Sequence, residues 1–126
     1  MLALVLAGQT ESELLAAFWQ ALSHPIRLRV LELLRREGEL NVGELVERLR
    51  IGQGHLSNHL GCLRTCGLVQ TANRGRYVYY RIADPRIAQL LDLGAAVLQD
   101  HLAGVAQCAI VRDEQQRLDV EDSHAR

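Results

Sequence analysis

The side chains with the most distinctive chemistry in this chain are its three cysteines, Cys62, Cys66 and Cys108. Cys62 and Cys66 lie four positions apart in the segment NHLGCLRTCGLV, whose pattern predicts a helix. Residues at that spacing share a helix face, with Cβ atoms about 5–6 Å apart. Such a pair can be ordinary packing, a redox couple or part of a metal site, because thiolates bind soft ions.

The sequence indicates an intracellular setting and no enzymatic role. Three thiols cannot all pair within one chain, and the start MLALVLAG lacks the basic residues and the length of a secretory signal. We therefore expect a cytoplasmic protein with reduced thiols. No apolar run approaches the ~20 residues that a membrane helix requires. We also expect no enzyme activity and no small-molecule substrate, since no nucleophile, base and orienting group can be assembled from the sequence.

The chain is the length of a single domain, and its charge is unevenly distributed. It has 126 residues, 48% of them hydrophobic, and a net charge of −1. Between Arg48 and Arg86, however, seven arginines stand against one acid, Asp84. A basic stretch of this kind suits a surface that faces nucleic-acid phosphates, although a solvated charged face has the same composition.

Helical periodicity, interrupted by one pair of strand-like segments, predicts a mainly α fold with a small β-hairpin. The strands LVQTA and RYVYYRI flank a turn at Asn73-Arg74-Gly75, which puts Arg74 and Arg76 at the hairpin tip. Two short helices, joined by a tight turn at 51–54 and followed at once by a strand, describe a helix-turn-helix. The predicted helices cover 11–22, 25–36, a short segment after Asn41, 55–67 and a long segment from 84 to 105.

The two end helices carry broad apolar stripes that a chain this small cannot cover alone. We therefore expect a homodimer formed through the N- and C-terminal helices. Residues 1–106 are predicted to be a winged helix-turn-helix domain for DNA binding and dimerisation. Residues 107–126 are predicted to be a partly flexible C-terminal tail that carries Cys108, since the segment RDEQQRLDVEDSHAR is polar and charged.

The fourth helix is predicted to have three distinct sides. At 100° per residue, Leu56, Leu60 and Leu63 define the side that faces the core. Cys62 and Cys66 fall on a flank beside the polar side, neither fully buried nor aimed with the polar residues. In a helix-turn-helix the start of this helix enters the major groove. The predicted DNA contacts are Gln53, His55, Ser57, Asn58 and Arg64 on the helix, with Arg74 and Arg76 on the hairpin.

Two further features of the fourth helix are predicted from its first turns. Gly52 and Gly54 at the start of the helix have no side chain that could cap it, so its start should be weakly capped. His59 falls near the core edge, which favours a structural hydrogen bond over a role in binding DNA or metal.

Two motifs give the chain a family resemblance. The pattern Ser-x-His-Leu-x-x-Leu-x-x-x-Gly-Leu-Val runs from Ser57 to Val69, and His24-Pro25-x-Arg27 precedes the second helix. With the order of elements, these motifs resemble the ArsR/SmtB family of winged-helix metal-sensing repressors over most of the chain. The resemblance implies a homodimer that binds operator DNA when metal-free and releases it when metal binds.

The resemblance also implies a ligand set. The third helix lacks the Cys-Val-Cys of arsenic sensors, and the last helix lacks the Asp/His pairs of zinc sensors. What remains is Cys62, Cys66 and Cys108, a combination similar to the cadmium- and lead-sensing CmtR branch and to ArsR-type mercury regulators. The implied effector is a soft ion, Cd(II), Pb(II) or Hg(II), held within one chain or between subunits. The alternative is a thiol-redox-responsive winged-helix repressor that uses no metal.

Overall fold

The computed structural model describes residues 8–124, which form seven helices and three strands. The expectation about the segment MLALVLAG falls almost wholly on residues 1–7, outside the described residues. The mainly α fold with a small antiparallel sheet and the winged helix-turn-helix order are confirmed. The elements are α1 Glu11–Ala21, α2 Pro25–Glu37, β1 Leu40–Asn41, α3 Val42–Leu49, α4 Gln53–Thr65, β2 Val69–Arg74, β3 Tyr77–Ile82, α5 Pro85–Asp100, α6 Leu102–Gln107 and α7 Ala109–His124.

Side-chain caps fix the starts of α1, α2, α3 and α5, whereas α4 and α6 have none. Asn41 and Glu44 form a reciprocal capping box at α3, in which each side chain accepts a backbone N–H of the other residue at 2.9 Å. At α2 the Nδ1 atom of His24 accepts the N–H of Ile26. At α4 the cap position is Gly52, which provides no side-chain hydrogen bond. The weak start predicted for α4 is therefore confirmed.

The sheet has one strand more than the predicted hairpin. β2 and β3 pair antiparallel around a turn in which Gly75 has φ 61°, a left-handed conformation that favours glycine. The two-residue strand β1 pairs with the other edge of β3, giving the order β1-β3-β2. β1 ties the segment between α2 and α3 to the hairpin, so the wing is anchored to the helical body.

The core lies where α2, α3 and α4 meet the base of the hairpin. Leu56, Leu60 and Leu63 on α4 are at most 1% exposed, as the helical periodicity predicted. They pack in one cluster with leucines from α2 and α3. Burying a side chain of this size stabilises the fold by about 1.5–3 kcal/mol. The position of α4 is therefore set by its own apolar side.

The C-terminal third differs from the sequence-based expectation. The long last helix ends at Asp100, because His101 has φ −128° and ψ 24°, and the short helix α6 follows. Beyond Cys108, where a partly flexible tail was predicted, residues Ala109–His124 form the helix α7. Within 8–124, no helix is both long and apolar enough to cross a membrane.

Several large apolar side chains on α1, α5 and α6 remain uncovered in the single chain. On α5, Leu93 is 65% and Val97 is 60% exposed, and on α1 Trp19 is 46% exposed. So many exposed large apolar side chains are typical of an interaction site. It coincides with the face that the sequence predicted for dimerisation.

The capping box gives a test of the fold. Asn41→Ala removes the cap of α3, so we expect the free energy of unfolding to fall by about 1 kcal/mol. The matched control is Asn58→Ala, because Asn58 is exposed inside α4 and alanine is the better helix former there. Urea unfolding at one protein concentration measures both. Equal losses for the two variants would contradict the role assigned to the capping box.

Candidate nucleic-acid interface and thiol pair

The polar side of α4 is available to a ligand. Gln53, Ser57, Asn58 and Arg64 are all exposed on α4, whereas its three core leucines are buried. Polar side chains on an exposed recognition helix can reach base edges and phosphates in the major groove. The structure thus brings four of the predicted DNA contacts onto one accessible surface.

His55 lies differently from the other predicted contacts. Its side chain is only 7% exposed, and its Nε2 atom lies 3.0 Å from Oδ1 of Asp122 on α7. The sequence offered no sign of this neighbour, because Asp122 is distant along the chain. His55 therefore faces the C-terminal helix in this structure and not the outer side of α4.

His59 takes the structural role that its position predicted. Its Nδ1 atom accepts a hydrogen bond from Nε of Arg27 at 3.2 Å, and its ring lies 4.2 Å from the ring of His24. Burial, followed by the nearby charges of His24 and Arg27, lowers the pKa of His59 to about 4. His59 is therefore neutral at physiological pH and joins α2 to α4.

The hairpin tip presents the two predicted arginines on a short, stiffened wing. Arg74 forms an ion pair with Glu39. Its guanidinium group also stacks on Tyr79, with the guanidinium carbon 4.0 Å from the ring centre. Arg76 lies 5.7 Å from the ring centre of Tyr77 and, among the described residues, forms no ion pair. Both arginines are exposed, but Glu39 offsets part of the charge of Arg74.

Cys62 and Cys66 are neighbours at the end of α4, as their spacing predicted. Cys62 is half-buried and Cys66 is exposed, and the N–H of Cys66 donates to the carbonyl oxygen of Cys62 at 3.0 Å. Burial, and then the charge and hydrogen bond of the Cys62 thiol, raise the pKa of the Cys66 thiol. The Cys66 thiol is therefore largely protonated at neutral pH, and a bound ion would have to displace its proton.

Cys108 lies apart from this pair in the single chain. It is exposed and ends α6, at the junction with α7. Within residues 8–124, the one group of three metal-capable side chains whose ligand atoms all lie within 4.8 Å consists of His24, His59 and Asp122. The three thiols do not form such a group, so the predicted ligand set remains a prediction.

A groove of about 490 Å³ joins the thiols to the histidines. Its walls come from α1, α2, α4 and α7, and it contains Cys62, Cys66, His59, Arg27 and Leu118. Sequence reasoning identified the α4 side of this groove from helical angles. It missed the α7 side, because a charged C-terminal segment carries no local signal of where it docks.

Comparison with known proteins agrees with this geometry. The family model described as "Bacterial regulatory protein, arsR family" matches residues 24–71, from the cap of α2 into β2. A probable mercury resistance operon repressor from Streptomyces lividans is 35% identical over 105 residues, which are 83% of each chain. This chain belongs to the ArsR family.

Two other relatives of this ArsR-family protein bear on its organisation. The transcriptional regulator CmtR of Mycobacterium bovis is 38% identical over 87 residues, covering 69% of this chain and 73% of CmtR. A homodimeric winged helix-turn-helix DNA-binding domain from M. bovis, described as from a possible ArsR-family regulator, matches with a TM-score of 0.65 and 34% identity, covering 76% of this chain and 93% of the other. The family resemblance inferred from the two motifs is therefore confirmed.

The raised pKa of Cys66 gives a pH-dependent prediction. Because the thiolate is the reactive form, alkylation of Cys66 by iodoacetamide should reach half its maximal rate at a higher pH than alkylation of an unstructured cysteine peptide. Cys62→Ala should move this midpoint toward that of the peptide. Cleavage after arginine separates Cys62 (residues 51–64) from Cys66 (residues 65–74), so mass spectrometry can follow each thiol. A Cys66 midpoint at or below that of the peptide would contradict the assigned environment.

Proposed function

We propose that this ArsR-family protein is a transcriptional repressor that binds operator DNA as a metal-free homodimer and is released by a soft heavy-metal ion. The observation that carries the proposal is the arrangement of α4. Its exposed polar side can read DNA, and a thiol pair lies on the flank of the same helix. A ligand on that flank can therefore act directly on the element that contacts DNA.

The proposed ion-binding ligands are Cys62, Cys66 and Cys108. Thiolates select soft ions, and three sulfurs suit Hg(II), Pb(II) or, with one added ligand, Cd(II). Cys62 and Cys66 already lie on successive turns of one helix. Cys108 must come from a rearranged C-terminal segment or from the second subunit. The name of the Streptomyces lividans relative, which refers to mercury resistance, supports a metal effector.

The proposed dimer uses the apolar side chains that the single chain leaves exposed on α1, α5 and α6. Two copies of α4 in a symmetric dimer would lie about one DNA turn, ~34 Å, apart and read a twofold-related operator. The homodimeric relative of known structure supports this arrangement. An ion that ties α4 to the C-terminal segment would change the tilt or the spacing of the two helices.

Coupling between ion and DNA requires that the ion bind the DNA-free form more tightly. Typical couplings of about 1–3 kcal/mol change affinity by roughly 5- to 150-fold. The ion must also displace thiol protons, so its affinity should fall as the pH falls.

The ligand set is tested by replacing each thiol. We expect Cys62→Ser, Cys66→Ser and Cys108→Ser to bind operator DNA as the wild type does but to remain bound when Cd(II), Pb(II) or Hg(II) is added. Fluorescence anisotropy of labelled operator measures release, and ultraviolet sulfur-to-metal absorption counts the thiolates.

Thr65→Ser is the control for this series, because Thr65 is an exposed neighbour of Cys66 and has no thiol. It should respond as the wild type does. A cysteine variant that still releases DNA at the wild-type ion concentration would remove that residue from the ligand set. Release on oxidation, with a mass loss of two hydrogens and no bound ion, would instead support the thiol-redox alternative.

The wing gives a separate prediction about affinity. Arg76→Ala and Arg74→Ala should weaken binding to all DNA sequences and reduce the slope of log affinity against log salt by about 1 each. We expect the larger loss of DNA affinity from Arg76→Ala, because Glu39 already offsets part of the charge of Arg74. Arg86→Ala is the matched control, since Arg86 is exposed at the start of α5 and pairs with Asp84. Unchanged slopes in both wing variants would exclude the wing from the interface.

A further inference from the structure

Three histidines of the winged domain converge on one carboxylate of the C-terminal helix. Oδ1 of Asp122 lies 3.0 Å from Nε2 of His55 and 3.5 Å from Nε2 of His24. His59 stands beside both rings, at centroid distances of 4.2 Å from His24 and 4.9 Å from His55. These contacts bring the end of α7 onto α2 and onto the first turn of α4.

The hydrogen bonds of two of these rings determine where their protons lie. Nδ1 of His24 accepts the backbone N–H of Ile26 at 3.1 Å, and Nδ1 of His59 accepts from the Arg27 guanidinium at 3.2 Å. A neutral imidazole has one N–H and one lone pair, so the N–H of each ring is on Nε2. His24 thus directs an N–H donor toward Asp122.

The same assignment disfavours a metal ion at this cluster. A metal-bound histidine normally donates the N–H of its other nitrogen to an acceptor. Here the other nitrogens of His24 and His59 are themselves acceptors, and a metal on Nε2 would cost both hydrogen bonds. Burial lowers the pKa of both rings, so they are neutral N–H donors at physiological pH. The cluster is suited to hold a carboxylate.

The contact between Asp122 and His55 is close but imperfect. Both atoms are buried and lie 3.0 Å apart, yet their alignment is outside hydrogen-bond geometry, and neither has another hydrogen-bond partner in the described part of the chain. A buried polar pair whose hydrogen bond is poorly formed stabilises the docked state only modestly, because both groups have given up their hydrogen bonds to water. The contact can therefore be broken at small cost.

A second residue anchors α7 on the same side of the helix. Leu118 is 8% exposed and lies four positions before Asp122, the spacing that places both on one helix face. It lines the groove that contains Cys62 and Cys66. α7 is thus docked by an apolar contact at Leu118 and by the polar contacts of Asp122.

The docked helix brings negative charge to the DNA-reading element. Residues 109–124 include five acids and two arginines. Asp122 meets α4 in its first turn, the part of a recognition helix that enters the major groove. Carboxylates at this position repel DNA phosphates, and His55 is buried where it meets Asp122.

We propose that α7 is an autoinhibitory helix. Asp122, which lies among His24, His55 and His59, docks α7 beside α4. The helix must undock before the protein reaches its full affinity for DNA. The undocked helix would carry its acids away from the phosphates and free His55 to reach DNA. The docking itself is a property of the protein alone. Only its effect on DNA rests on the proposed function.

The test removes the carboxylate of Asp122 and measures docking and DNA binding separately. In Asp122→Ala, hydrogen exchange of the α7 amides should rise roughly fivefold, as expected for the loss of a modest polar contact of about 1 kcal/mol. Exchange in α2 and α4 should stay near the wild-type rates. Affinity for operator DNA should rise at least about fivefold at low salt. Asp122→Asn, which keeps the shape and loses the charge, should lie between wild type and alanine.

Asp119→Ala is the matched control, since it removes the same charge from an exposed position whose carboxylate only accepts from Gln115 at 2.9 Å. It should leave α7 exchange unchanged and raise DNA affinity less. Faster α7 exchange without a gain in DNA affinity would overturn autoinhibition but not the docking. Unchanged hydrogen exchange of α7 in Asp122→Ala would overturn the proposal. It would also be overturned if the wild type bound Zn(II) and Asp122→Ala did not.

Discussion

The packing of α4 against the core determines the rest of the structure, because the same helix also presents its polar side chains to solvent and carries the thiol pair. α4 buries Leu56, Leu60 and Leu63 against the core, and that contact fixes its rotation. Once the rotation is fixed, the polar residues have to face outward and the thiols have to lie on the flank. The capped start of α3, the tight turn before α4 and the hairpin after it hold this orientation. A change in any of these supports would turn the reading surface and the thiol pair together.

The two sequence motifs that pointed to the ArsR family are joined in space. His24 and Arg27 come from the first motif and His59 from the second, and all three meet between α2 and α4. His24 caps α2 with one nitrogen and faces Asp122 with the other. The guanidinium of Arg27 is shared between His59 and the carbonyl groups of Gln20 and Ala21. The motifs therefore describe a polar junction that fixes the relative positions of α1, α2 and α4.

The parts of the structure that could be predicted from sequence are those with a local cause. Helical spacing predicted the buried side of α4 and the flank of Cys62, and a glycine turn between β-branched segments predicted the hairpin. Strand β1 could not be predicted, because two residues carry no alternation and their pairing depends on the distant β3. The docking of Asp122 on His55 was also missed, because 67 residues separate them and only the tertiary fold brings them together.

The indole of Trp19 has a practical consequence. It is the only tryptophan of the chain, and it lies half-exposed on α1, in a shallow apolar hollow that also includes Leu91 and Leu98 of α5. Indole emission shifts to shorter wavelength when water is excluded from the ring. Intrinsic fluorescence therefore reports, without any label, whether this hollow is open to solvent or covered by a second molecule.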